Sequence, residues 1–293
     1  LIKGSSLINN YSSFTIKAPA KINWFLIVRR KREDGFHDIE TLMQCIGLYD
    51  IIHFTNSEKI EVVSDLNIPL QDNLVFKAAS TLKRYASYQK GVRITLKKNI
   101  PISAGLGGGS SDAAYTLSGL NKFWDLGLTI DELMRLGLEI GSDVPFFINT
   151  DASAYVEGRG EKITPVHIRK DIIFLIVKPA LDISTRWVYQ NIVRLTNRTV
   201  DIKLFCKALN NKDFLSLNEM LVNDLEEVVI KRYPIVKEIR EKLLEKGALM
   251  SAMSGSGPTV FGVFESIEEA SSASKAFKDC WTAITHSSGE INY

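Results

Sequence analysis

The chain has 293 residues, enough for two domains with cores of their own. Apolar residues make up 45% and charged residues 24%, the balance of a folded globular protein, and a formal charge of +2 offers no bulk attraction for nucleic acid or an acidic membrane surface. Three widely separated cysteines without a CxxC, and four scattered histidines, argue against a disulfide framework and a structural zinc site.

The first fourteen residues have neither an arginine-rich bias nor an apolar signal core. A cytoplasmic location is expected, although the lack of an initiator Met leaves room for a removed targeting segment upstream. From Lys21 to Val28 the chain reads as a strand, with Ile22, Trp24, Leu26 and Val28 on one face and Lys21, Asn23, Phe25 and Ile27 on the other. The basic run Arg29–Arg32 falls in a polar stretch and reads as a solvated hairpin turn. Asp50–Phe54 and Lys59–Val63 read as further strands, and Asp72 or Asn73 can cap a helix from Leu74. Val92, Ile94 and Leu96 alternate inward on a strand that delivers the chain to a stretch holding four glycines, "PISAGLGGGSSDAA". A helix follows, with Ala113, Leu117, Leu120 and Trp124 at helical spacing and Ser110 or Ser111 where an N-cap belongs. Thr129 and Glu132 form a capping box for the next helix.

The polar, glycine-containing stretch 157–171 is taken as the domain boundary, giving units 1–160 and 161–293. Beyond it come an apolar strand at Ile172–Val177, too short to cross a bilayer, then helices ending near Gly247, and a small-residue turn, "MSGSGPTVFGVF", leading into a strand. Strands mixed with helices but without regular βαβ alternation indicate an α+β fold.

The glycine stretch between a strand and a helix suits an anion. Successive backbone N–H groups followed by a helix N-terminus make a positive concavity, and glycines let the ligand approach closely. The Walker A pattern fails because Ser110, not Lys, follows Gly109; the dinucleotide fingerprint G-x-G-x-x-G fails at the same residue.

These residues resemble the phosphate loop of the GHMP small-molecule kinases. "APAKINWFL", "DGFHDIETLMQ", "GSDVPFF" and "MSGSGPTVFGVF" resemble further motifs of that family, and the likeness runs along nearly the whole chain. The resemblance implies an N-terminal domain like domain 2 of a small-subunit ribosomal protein and a ferredoxin-like C-terminal domain, with the active site in the cleft between them. It also implies an ATP-dependent kinase that uses Mg²⁺. The triple glycine and the aromatic–His pair resemble the branch whose small-molecule substrate carries a cytidine diphosphate group. For that branch the implied reaction is phosphorylation of the 2-hydroxyl of 4-diphosphocytidyl-2-C-methyl-D-erythritol in the non-mevalonate isoprenoid route. Another GHMP kinase, of the homoserine or mevalonate type, and an inactive nucleotide-binding regulator are the alternatives. A monomer or weak homodimer is expected, without a nucleic-acid or membrane partner.

By the same resemblance Lys21 and Asp143 are the catalytic residues. Pro101, Ile102, Ser103, Ala104, Gly105, Leu106, Gly107, Gly108, Gly109, Ser110 and Ser111 hold the nucleotide phosphates. Asn23, Phe36, His37 and Tyr189 are the acceptor-binding residues, and no metal ligands are assigned. Phe36 stands where the family usually has Tyr, so stacking on a base is kept and a hydroxyl is lost. Tyr189 fits either a second aromatic wall or core packing. The turn Ser254–Pro258 fits either a diphosphate contact or a tight turn between elements.

Overall fold

Two long strands organise the first half of the molecule. The alternation read from Lys21 belongs to β1 (Ser13–Lys31), which turns at Gly35 (φ 84°) and returns antiparallel as β2 (His37–Ser57). The computed structural model describes residues 12–65, 68–149, 152–192, 195 and 197–287. Asp50–Phe54, expected as a strand by itself, is part of β2. β3 (Ile60–Ser64), β4 (Gly91–Lys97), β5 (Ser153–Gly158) and β6 (Lys162–Pro165) complete the sheet in the order β3-β4-β2-β5-β6, with β1 on β2.

Helices α1 (Leu74–Tyr85), α2 (Gly108–Phe123), α3 (Ile130–Ile140) and α4 (Val144–Ile148) pack on this sheet, and Ala113, Leu117, Leu120 and Trp124 enter the shared core. Asn73 caps α1 by accepting from the Val75 amide, and Thr129 and Glu132 form the capping box of α3. The cap of α2 is a correction. Neither Ser110 nor Ser111 serves; the N-cap is Gly107 in the left-handed region (φ 69°), and no side chain caps the helix. A glycine reaches that backbone conformation without the Cβ clash a serine would meet, and the first-turn amides stay open.

In the second half β7 (Ile173–Pro179), β8 (Met250–Met253), β9 (Val260–Phe264) and β10 (Cys280–His286) form an antiparallel sheet ordered β10-β7-β9-β8. Helices α5 (Thr185–Gln190), α6 (Ile202–Asn210), α7 (Phe214–Met220), α8 (Glu226–Arg232), α9 (Ile235–Glu245) and α10 (Ile267–Ser274) accompany it. The fold is α+β with two sheets, as expected. The boundary at 160/161 falls in the turn between β5 and β6, whose pairing carries the first sheet to Pro165. Glycines at positive φ (Gly158, Gly160) and polar neighbours serve a hairpin tip as readily as a linker.

β1 joins the two halves. Every residue from Ala18 to Val28 is buried, and the register shifts between Asn23 and Phe25, so strict alternation breaks there. The Trp24 indole at that bulge packs against Phe174 (5.6 Å between ring centroids) and Phe261 (5.8 Å) of the second sheet, and its Nε1 donates to Gln44 Oε1 at 2.8 Å. Truncating such a buried Trp costs about 3–5 kcal/mol. The walls of the cleft are therefore fixed to one another by a shared core.

Candidate active site

Between β4 and α2 the backbone turns through left-handed conformations at Ser103 (φ 50°), Gly105 (φ 73°) and Gly107 (φ 69°). Gly105 has no room for a side chain, and Gly107 very little. A Cβ on Gly105 would lie 2.2 Å from the Ser254 carbonyl oxygen, and one on Gly107 would lie 3.0 Å from Lys21 Cγ. The leading amides of α2, at Gly108, Gly109 and Ser110, lack intrahelical acceptors and sit at the positive end of the helix dipole. Together they form a seat for an anion.

Lys21, on β1, lies directly beneath that seat. Its amide donates to the Leu106 carbonyl at 2.9 Å, and its side chain is 4% exposed, far below the norm for lysine. The ammonium donates to Asn23 Oδ1 at 2.6 Å and to the Gly105 carbonyl at 3.3 Å, and stands 3.6 Å from Asp143 Oδ2. Asn23 is held in turn: its Nδ2 donates to Thr41 Oγ1 at 2.8 Å, and that hydroxyl donates to the Phe25 carbonyl at 2.5 Å. Asp143 precedes α4 with its side chain 31% exposed. A buried ammonium thus meets a carboxylate that opens onto solvent.

The other end of the cleft is aromatic. His37 and Tyr189 lie 5.2 Å apart with ring planes 31° from parallel. Burial, then the Lys31 charge, lowers the His37 pKa, so its ring is neutral near pH 7. Burial and the Asp143 carboxylate push the Tyr189 phenol above its ordinary value. Phe36 is 47% exposed, with the Arg159 guanidinium 5.1 Å from its ring centroid.

One cleft of about 900 Å³ is lined by Lys21, Asn23, Phe36, His37, Asp143, Tyr189 and the loop from Pro101 to Ser110. Ser111 differs: it is fully buried behind the first turn of α2 and forms no part of the wall. Gly255 and Ser256 of the C-terminal glycine turn do line the cleft. That turn is tied to the loop by Ser254 Oγ donating to the Gly105 carbonyl at 3.0 Å, and to α5 by a 2.8 Å hydroxyl contact between Ser256 and Thr185. Wall residues not foreseen from the sequence include Ile68, Leu74 and Leu96 beside the loop, Lys98 and Asp112 under it, and Arg159 and Arg186 at the aromatic end.

An anion seat, a buried ammonium at its mouth and a half-open carboxylate beside it, set in a cleft between two α+β halves, define a small-molecule kinase. The comparisons agree. Residues 73–150 match the GHMP kinases N terminal domain, and residues 205–283 the GHMP kinases C terminal domain. The chain is 44% identical over 279 residues to a 4-diphosphocytidyl-2-C-methyl-D-erythritol kinase of Thermodesulfovibrio yellowstonii, covering 92% of this chain and 96% of that one. It is 42% identical over 285 residues to the enzyme of the same name from Alkaliphilus oremlandii, covering 94% and 97%. A crystal structure of a 4-(cytidine 5'-diphospho)-2C-methyl-D-erythritol kinase superposes with a TM-score of 0.80 at 30% identity, covering 94% of this chain and 100% of that one. Homoserine kinase from Cytophaga hutchinsonii shares the fold alone, with a TM-score of 0.74 at 17% identity, covering 100% of this chain and 98% of that one. The chain belongs to the GHMP kinases, in the branch of the 4-diphosphocytidyl-2-C-methyl-D-erythritol kinases.

Proposed function

We propose that this chain transfers the γ-phosphoryl group of ATP to the 2-hydroxyl of 4-diphosphocytidyl-2-C-methyl-D-erythritol. The observation that carries the reading is the Lys21–Asn23–Asp143 group at the mouth of the glycine loop. The loop amides from Gly107 to Ser110 hold the phosphates, and the apolar wall of Ile68, Leu74 and Leu96 receives the adenine. The acceptor oxygen forms a bond to the γ-phosphorus as the bond to the β-phosphate oxygen breaks, leaving ADP. The transition state is loose and its charge is spread, so alignment and electrostatics carry the catalysis. Asp143 orients the hydroxyl and takes its proton late, because a carboxylate is far too weak a base to generate a free alkoxide. Lys21, 3.6 Å from that carboxylate, stabilises charge developing on the attacking oxygen. At the far end Phe36, His37 and Tyr189 receive the cytosine by stacking and an edge hydrogen bond.

Mg²⁺ is the metal the family implies. The described residues hold no grouping of three or more His, Cys, Asp or Glu side chains able to bind a metal. They do not form a metal cage; ATP phosphates and water commonly supply most Mg²⁺ ligands. A coupled assay tests the reading: ADP forms when ATP and the cytidine-diphosphate acceptor are both present. Equal turnover of homoserine or mevalonate overturns it.

A further inference from the structure

Three charged side chains meet beneath the phosphate seat and take no part in the proposed chemistry. Asp50 on β2 is fully buried; its Oδ1 accepts the Asn99 and Ile100 amides at 2.6 and 2.9 Å, and its Oδ2 accepts from Lys98 Nζ. Lys98, one residue past β4, also donates to Asp112 Oδ2 at 2.7 Å. Asp112, in the fifth position of α2, is 3% exposed, and its Oδ1 has no hydrogen-bond partner among the described residues. The cluster thus pins both ends of the glycine loop, the strand side through Asp50 and the helix side through Asp112.

The charges do not balance. Two carboxylates share one ammonium in a buried site, so full ionisation leaves one negative charge in excess. That excess lies close to the seat, because Asp112 itself lines the cleft beside the loop. Asp50 accepts three donors and has its charge satisfied, whereas Asp112 has one and an empty oxygen, so a proton belongs on Asp112. Among the described residues, only Lys98 and Asp50 face it as charged groups. The neighbouring α1, α3, α4 and β1 meet α2 through the apolar core, and the Lys21 and Asp143 charges pair with each other. Burial raises the Asp112 pKa to about 7; the Lys98 charge opposes that shift and the Asp50 charge adds to it.

We infer that Asp112, held by Lys98, is a positioning residue through which nucleotide binding at the glycine loop is coupled to uptake of a proton. The inference rests on the nucleotide reading of the loop. A polyphosphate adds negative charge beside an already anionic cluster, and a proton on Asp112 Oδ1 removes the repulsion while the Lys98 contact stays on Oδ2. Since bound nucleotide raises the Asp112 pKa further, affinity is highest below the pKa of the free protein and falls as pH rises through that of the complex.

The test is calorimetry of ADP binding in two buffers of different ionisation enthalpy, from about pH 6 to 8.5, on the wild-type chain and on Asp112→Asn, which carries the neutral form permanently. Wild type is expected to take up protons beyond those from ADP itself and to weaken roughly three- to tenfold more than the variant across that range. Asp112→Asn binds at least as tightly as wild type at the alkaline end. Coincident pH profiles with intact binding overturn the inference alone; no ADP binding by wild type at any pH overturns the nucleotide reading instead. Should the variant not fold, the wild-type proton count decides: uptake beyond that of ADP supports the inference, and none overturns it.

Discussion

The two ends of the cleft are built differently. At the phosphoryl end the Lys21 ammonium is buried, and its orientation is set by a relay through Asn23, Thr41 and the Phe25 carbonyl. At the aromatic end Phe36 is 47% exposed on a turn with the Arg159 guanidinium over its ring, and His37 and Tyr189 pack on each other. A reaction that depends on alignment gains from a rigid network, because small displacements of reacting groups reduce rate steeply. Recognition of a base by stacking tolerates more movement, since an aromatic face attracts over a range of offsets. Changes at the first end are therefore expected to act on kcat, and changes at the second on the KM of the acceptor.

The largest effect is expected from Asp143→Asn. It removes the proposed proton acceptor while keeping the shape, and kcat should fall about 10²–10⁴-fold with ATP affinity little changed. Near-normal turnover would take Asp143 out of the reaction and erase the contrast between the two ends. Asn23→Ala deprives Lys21 of its shortest contact; a hydrogen bond to a charged group contributes about 1.5–3 kcal/mol, so kcat should drop roughly 10–100-fold. An unchanged kcat would show that the relay does not position the ammonium.

Substitutions in the glycine loop sharpen the comparison by separating fold from function. A side chain on Gly108 meets buried Ile100 Cγ2 at 2.9 Å, so Gly108→Val should cost about 1–3 kcal/mol and lower Tm. A Cβ on Gly109 finds Leu74 Cδ1 at 3.4 Å and no closer group. Gly109→Val should therefore keep its Tm while raising the KM for ATP roughly tenfold by crowding the phosphates; an unchanged KM would contradict the seat.

Much of this was legible in the chain, because short motifs carry backbone demands. Strand, glycines and helix follow one another as read, and the alternation of Val92, Ile94 and Leu96 gives β4 its inward face. What escaped depended on topology or on ambiguous local chemistry. Lys98 reads as one of two lysines ending a strand, and nothing nearby in sequence shows that Asp50, reached across the sheet, will bury it. Arg159 lies in a polar glycine turn that resembled a linker, so its place over Phe36 required the β5–β6 pairing. Serine is the commoner N-cap, which is why Ser110 or Ser111 is expected at the start of α2; here the N-cap is Gly107 and the helix keeps its leading amides free instead.

Smaller effects belong to the aromatic end. Phe36→Leu removes the ring beneath Arg159 and the proposed surface for the base; an aromatic pair is worth about 0.5–1.5 kcal/mol, so acceptor KM should rise roughly 2–12-fold with kcat unchanged. A matching fall in kcat would mean that the two ends act as one unit.

The smallest expected effect is the pH response of His37. Its pKa lies below the ordinary 6.5, through burial first and the Lys31 charge second, so the folded protein holds the ring neutral where the unfolded chain has begun to protonate. Between those two values the unfolded state binds more protons, and this residue therefore lowers stability as pH falls through about 6.5. The same protonation removes the acceptor nitrogen available to a base edge. Acceptor KM should be flat from about pH 7 to 8 and rise a few-fold on acidification, and His37→Asn should abolish the rise because an amide does not titrate in that range. If the rise survived in the variant, the pH response would originate at the phosphoryl end, and the aromatic wall would be recognising its ligand by shape alone.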